Sequence, residues 1–191
     1  MAMASSGLMI PAAGLAENAY GAAAVKAVET YTLEQMLTYA IQDEYLAQAD
    51  YQAFVKAFGA NTAFANFERA EGVHIARLTQ LFEARGLPLP ENTAADMVQV
   101  PATLQLAYEE EVALEARNIA MYEQFLHQNG LPEDVKLAFT ALRNASQNHL
   151  AAAQRNVARG EGGQGGGRQD SPRRNENTGT QPGGRGPRRG K

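Results

Sequence analysis

The chain has 191 residues, 45% of them hydrophobic, and a formal net charge of −4. That length buries one good core and not two. Cysteine is absent, which excludes disulfides, thiolate catalysis and Fe–S or zinc–thiolate sites. No apolar run approaches the roughly 18 residues of a membrane span, so no membrane partner is expected.

The charge is unevenly divided. From Gly160 onward seven Arg or Lys stand against three acids, leaving +4 there and −8 on the remainder. An acidic folded part with a basic tail is two physical objects. Residues 1–30, rich in Ala and Gly, read as a loosely ordered arm with room for one short helix from about Gly14 to Val28. Leu8-Met9-Ile10 and Leu15-Ala16 have a faint signal-peptide flavour, but no basic segment precedes them. A cytoplasmic location is therefore favoured over secretion.

The first long helix is expected from Thr32. Thr32-Leu33-Glu34-Gln35 fits a capping box, in which the Thr hydroxyl takes the Gln35 amide and Gln35 reaches back. Apolar residues then keep a helical period to Phe58, and Gly59 supplies the stop. On a helical wheel Leu37, Tyr51 and Val55 fall within about 20° of Glu44. A glutamate therefore stands in the middle of the buried stripe.

The second helix is expected from about Thr62, capped by Asn61, to Arg85, with Gly86-Leu87-Pro88 ending it. Phe64, Leu78 and Phe82 lie within about 20° of Glu71, and His74 within about 60°. Glu71 and His74, an E-x-x-H step, thus share one apolar face. Residues 87–101, with three prolines, suit a long crossover better than a tight turn.

The third helix is expected from about Ala102 to Gln128. Leu104, Tyr108, Tyr122 and Leu126 surround Glu115 within about 20°, with Glu111 at about 40°. Glu109 and Glu110 point to solvent. Glu111 reads equally as an extra ligand, as a partner of a ligand, or as half exposed. The fourth helix starts at Pro132, with Glu133 and Asp134 complementing its dipole, and runs to Arg159. There His149 is centred among Ala138, Leu142, Ala145 and Ala153, with Ser146 one turn before it. His127, at the end of the third helix, reads as a surface residue.

Four helices with no strand pattern give an all-α bundle with one long crossover between the second and third helices. Glu44, Glu71, His74, Glu115 and His149 all fall near the middle of their helices, so packing brings them to a similar height. A buried carboxylate is costly unless it is paired or bound to a metal. Carboxylate oxygen with imidazole nitrogen suits iron or manganese, with zinc the third choice. Tyr51, Tyr108 and Tyr122 share these faces as core aromatics, and a phenol there can hydrogen-bond a ligating carboxylate.

Asp43-Glu44-Tyr45-Leu46-Ala47, Phe64-Ala65-Asn66-Phe67 with Glu71-Gly72-Val73-His74, Glu115 to Ile119, and Ser146-Gln147-Asn148-His149-Leu150 together resemble the ferritin-like superfamily. The likeness spans residues 33–159 and is greatest to a prokaryotic ferritin-like branch of undefined activity. It implies a ferritin-like four-helix bundle, here over residues 31–159, with a di-iron or related centre acting on dioxygen or peroxide. Glu71 would be the bridging carboxylate and a homo-oligomer would be in keeping. One departure stands out. Ser146 occupies the place of the glutamate in a second E-x-x-H, so a water or hydroxide held by Ser146 would at best fill that ligand position.

A second reading is a non-catalytic helical interaction module that uses its core polar groups for packing. The tail, residues 160–191, is expected to be disordered, with eleven glycines from Gly160 on and almost no apolar residue. Its Arg-Gly character hints only weakly at nucleic acid or another anionic partner, because it has no aromatic to stack on bases.

Overall fold

The computed structural model describes residues 20–27, 29–60 and 62–163, with side chains as far as Gly160. Four α-helices and two 3-10 turns account for all of the regular structure among them, with no strand. The helices are α1 (Leu33–Phe58), α2 (Phe64–Glu83), α3 (Leu104–Leu126) and α4 (Glu133–Gly163). No helix among the described residues is long and apolar enough to cross a membrane.

The local signals at the helix ends act largely as expected. Thr32 accepts from Gln35 N at 3.2 Å while Gln35 Oε1 accepts from Thr32 N at 2.9 Å, which completes the capping box of α1. Thr103 caps α3 by accepting from Leu106 N. The start of α2 differs. Its N-cap is Ala63, with no side-chain cap, and the Ala63 N–H instead donates to the Tyr108 hydroxyl across the bundle. Tyr108 is therefore spent on a helix terminus. Asn61, the expected cap, lies outside the described residues.

The end of α4 also differs. Gly160 was the expected stop, yet the helix continues to Gly163. A Cβ at Gly160 would collide with the Gln105 carboxamide of α3, and Gln105 Nε2 donates to the Val157 carbonyl. The glycine permits close approach of α3 and does not terminate the helix. The basic tail beyond residue 163 lies outside the described residues.

Helices α1 and α2 pack together, as do α3 and α4, and α1–α3 and α2–α4 contacts close the ring. The bonds between helices fix their directions. Glu44 meets Tyr122 while Tyr51 meets Glu111, so α1 and α3 are antiparallel. His149 meets Glu71 while Arg85 meets Asp134, so α2 and α4 are antiparallel too. Short links make α1–α2 and α3–α4 antiparallel, leaving α2 and α3 parallel. The connection between α2 and α3 must therefore run back along the bundle. It carries the 3-10 turn Ala94–Asp96, packs on α1 and buries Ala94.

The N-terminal arm is tied down where it is described. Of the short helix expected from about Gly14 to Val28, residues 14–19 and 28 lie outside the described residues, and the described part holds a single 3-10 turn, Gly21–Ala24. Asp43 and Gln42 of α1 explain this, because their side chains take the Ala22 and Gly21 N–H groups at 2.7 and 3.3 Å. Gly21 has φ +58, and a Cβ there would sit 2.6 Å from Asp43 Oδ1 and 2.9 Å from its backbone. Only glycine allows that approach.

The core is divided in two. One apolar cluster holds Leu37 and Ile41, Leu78 and Phe82, Tyr122 and Phe125, and Phe139 and Leu142 from the four helices in turn. The other holds Tyr51 and Phe54, Phe64 and Phe67, Ala107 and Tyr108, and Ala153. In every helix the stretch between them carries the buried polar residues. Phe64 anchors the second cluster, with ring centroids 4.6 to 5.9 Å from Tyr108, Phe54, Tyr51 and Phe67. Phe64→Ala is expected to cost about 3–5 kcal/mol in urea unfolding, since packed neighbours refill such a hole only in part. A loss below about 1 kcal/mol would mean that this cluster is not close-packed.

Candidate metal centre

Between the two apolar clusters, Glu44, Glu71, Glu111, Glu115 and His149 are each at most 8% exposed, and His74 is partly buried beside them. Five of these six fall into two groups. Glu44, Glu71 and His74 form one, and Glu71, Glu115 and His149 the other, each with three ligand atoms within 4.8 Å of one another. Glu71 belongs to both. All five residues singled out by their place on the helix faces are thus brought together, from four helices.

The distances are short and specific. His74 Nδ1 lies 2.6 Å from Glu71 Oε2 and 3.1 Å from Glu44 Oε2. His149 Nδ1 lies 2.9 Å from Glu115 Oε1 and 3.3 Å from Glu71 Oε1. The two imidazoles meet different oxygens of the shared carboxylate, their ring centroids 6.2 Å apart. Phe67 packs on His149 with centroids 4.3 Å apart and helps fix that ring.

Two buried phenols hold the carboxylates. Tyr122 donates to Glu44 Oε1 at 2.6 Å. Tyr51 donates to Glu111 Oε1 and lies 3.1 Å from Glu115 Oε1. Burial first, and then the carboxylate charges around them, push both hydroxyls well above the ordinary tyrosine value. They remain donors at any ordinary pH.

The acids themselves are driven apart. Burial pushes Glu44 up, but hydrogen bonds from Glu71, His74 and Tyr122 and the His74 charge outweigh it, bringing its carboxyl down to about 2. Burial, then the Glu44 charge, push Glu71 well above its usual range. The two share a proton that resides mainly on Glu71. Burial, then the Glu115 charge, likewise push Glu111 up. Without a cation, so many converging oxygens must be neutralised by protons.

Glu111 proves fully buried, which removes the half-exposed reading. It belongs to neither three-residue group, yet it lines the same cavity as Glu44, Glu71 and Glu115. Its Oε2, like Glu115 Oε2, is buried with no hydrogen-bond partner. Two unpaired carboxylate oxygens at one place are costly in an apolar interior, and a cation relieves that cost. The residues present therefore fit a metal.

Ser146 lines the same cavity as these carboxylates, and its hydroxyl donates to Asn118 Oδ1 at 2.8 Å. Asn118 in turn donates to Asp43, whose other oxygen accepts Ala22 N. Ser146 thus also joins a polar chain running from α4 through α3 and α1 to the arm. Reasoning from the sequence missed Asp43 and Asn118. Asn118 follows Glu115 by three residues on the same face, and that spacing was the available signal. His127 is exposed, as expected.

A cavity of about 50 Å³ opens between α1 and α3, lined by Glu44, Asp50, Glu71, Glu111 and Glu115 and covered by Tyr20, Ala22 and Ala23 of the arm. That is room for a few waters or one small molecule. Compared with known proteins, the chain matches no family model, no curated protein and no solved structure.

Proposed function

We propose that this chain is a ferritin-like metal protein that binds two cations of the iron class per bundle and serves oxygen, peroxide or iron redox chemistry. The observation that carries the reading is the pair of carboxylate–imidazole groups sharing Glu71. One carboxylate common to two such groups is the arrangement that places two metals side by side. The parallel run of α2 and α3, which obliges a long crossover, supports the ferritin-like topology.

Glu44, Glu71 and His74 would hold one cation, and Glu71, Glu115 and His149 the other. Glu111 would add a carboxylate on the second side, in place of the glutamate that Ser146 replaces. The oxygen-rich set with one imidazole per position suits iron first and manganese next, with zinc a weaker fit. Iron held there supplies one-electron chemistry toward dioxygen or peroxide. The chain's own part is to orient and to exclude. Tyr122 and Tyr51 donate to Glu44, Glu111 and Glu115 and set their rotation, as partners of ligating carboxylates do. The small cavity admits little beyond a few waters or a small oxidant.

Metal content decides the matter. Protein produced with iron or manganese supplied is expected to carry about two equivalents per chain, and its melting temperature is expected to fall with chelator. Metal far below one equivalent, with melting indifferent to chelator and to Glu71→Ala/His74→Ala, would leave a plain helical interaction module.

A further inference from the structure

The cavity between α1 and α3 reaches from the carboxylates of the centre toward the protein surface, and one of its lining residues is not accounted for by the centre. Asp50 of α1 is 8% exposed, and no described donor or cation pairs with it. It stands in a gradation of carboxylates. Its nearest charges are Asp43 and the exposed Glu110, and the fully buried Glu111 feels Asp50 in its turn. Glu111, Glu115 and Glu71 line the same cavity.

Behind Asp50, the Oε2 atoms of Glu111 and Glu115 are buried with no hydrogen-bond partner, a cost in an apolar interior that a cation relieves. Arg117 also lines the cavity, but its side chain is exposed and pairs with none of these acids among the described residues. What the series offers is a descending path for a positive ion, in a narrow cleft whose low-dielectric walls focus the field.

We propose that this cavity is the route by which a divalent cation reaches the centre, with Asp50 as a transit ligand that takes the ion before Glu111 and Glu115. The proposal rests on the metal-binding reading and adds to it a path and a residue. Asp50 is outside both three-residue groups, so it governs how fast the ion arrives and not how many ions stay.

Stopped-flow uptake of Co(II), followed by the visible absorption of the bound ion, tests this at pH 8, above the value of about 7 to which burial raises Asp50. Asp50→Asn is expected to slow uptake about tenfold while leaving bound cobalt per chain and the final spectrum unchanged. Ala47→Leu, which narrows the cavity without touching a charge, is expected to slow it as well. Glu123→Gln, which removes an exposed acid that does not line the cavity, is expected to match the parent protein. Uptake at the parent rate in both Asp50→Asn and Ala47→Leu overturns the route. Loss of bound cobalt in Asp50→Asn places the residue in the centre itself and overturns the transit role. A parent protein that binds no cobalt overturns the centre and the route together, which separates the two failures.

Discussion

Glu71→Gln is expected to abolish tight metal binding at both positions while leaving the fold intact. Glu71 alone is common to both ligand groups, so its loss strips a carboxylate from each. A neutral amide oxygen is a poor substitute, and affinity at each position should fall by more than about 100-fold, beyond the cost of losing a mere partner of a ligand. The metal-free fold should not suffer. Burial and the Glu44 charge keep Glu71 protonated, so it already donates to Glu44, and a glutamine NH2 can do the same. The variant without metal should melt at or above the temperature of the chelated parent. The parent should gain on the order of 10 °C from saturating metal, and the variant almost nothing.

Single changes on one side give the contrast. Glu44→Gln touches only the first group, and His149→Ala only the second, so each should retain one of the two equivalents. Metal analysis and melting with and without chelator read all three variants together. If Glu71→Gln keeps a full equivalent, the two groups do not share a bridging carboxylate.

The sequence announced the clustered acids because burial and charge conflict there. A glutamate at the centre of an apolar stripe has few explanations, and Glu44, Glu71 and Glu115 each stood at such a centre on a different helix. Helix ends were less legible where the partner was distant in the chain. The Tyr108 hydroxyl at the start of α2 and Gln105 against Gly160 leave no local trace, so Gly160 attracted the role of a helix stop when it serves close approach of α3. The bond that Ser146 makes was hidden for the same reason, since its partner Asn118 lies on another helix. Glu111 could not be decided on a wheel either, because its angle put it at the edge of the buried arc and only the neighbouring Tyr51 closes over it.

The chelated protein is expected to be more stable at pH 5 than at pH 8, the reverse of the trend set by carboxylates in ion pairs. Asp43 and Asp50 are raised from the ordinary aspartate value to about 7, first by burial. Glu71 and Glu111 are pushed well above the usual range in the same sense, first by burial. For an acid with a raised value the unfolded chain loses its proton first. Between about pH 4 and pH 7 the folded state therefore binds more protons, and stability falls as pH rises. Glu44, brought down to about 2, acts oppositely, but its contribution is complete above the ordinary glutamate range and is lost only as pH falls toward 2. It does not offset the decline above pH 5. Across the window the loss should be on the order of 3 kcal/mol, or about 10 °C in melting temperature. A divalent cation displaces the protons held by the carboxylates of the centre, Glu71 and Glu111 among them, and binds more tightly as pH rises. With metal in excess the melting curve should therefore flatten or rise from pH 5 to pH 8. Chelated protein that melts at the same temperature at both values would mean that these carboxyls are not held protonated by burial. The gap between the loaded and chelated curves should be widest at the alkaline end, because there the cation replaces the proton whose loss costs the fold most.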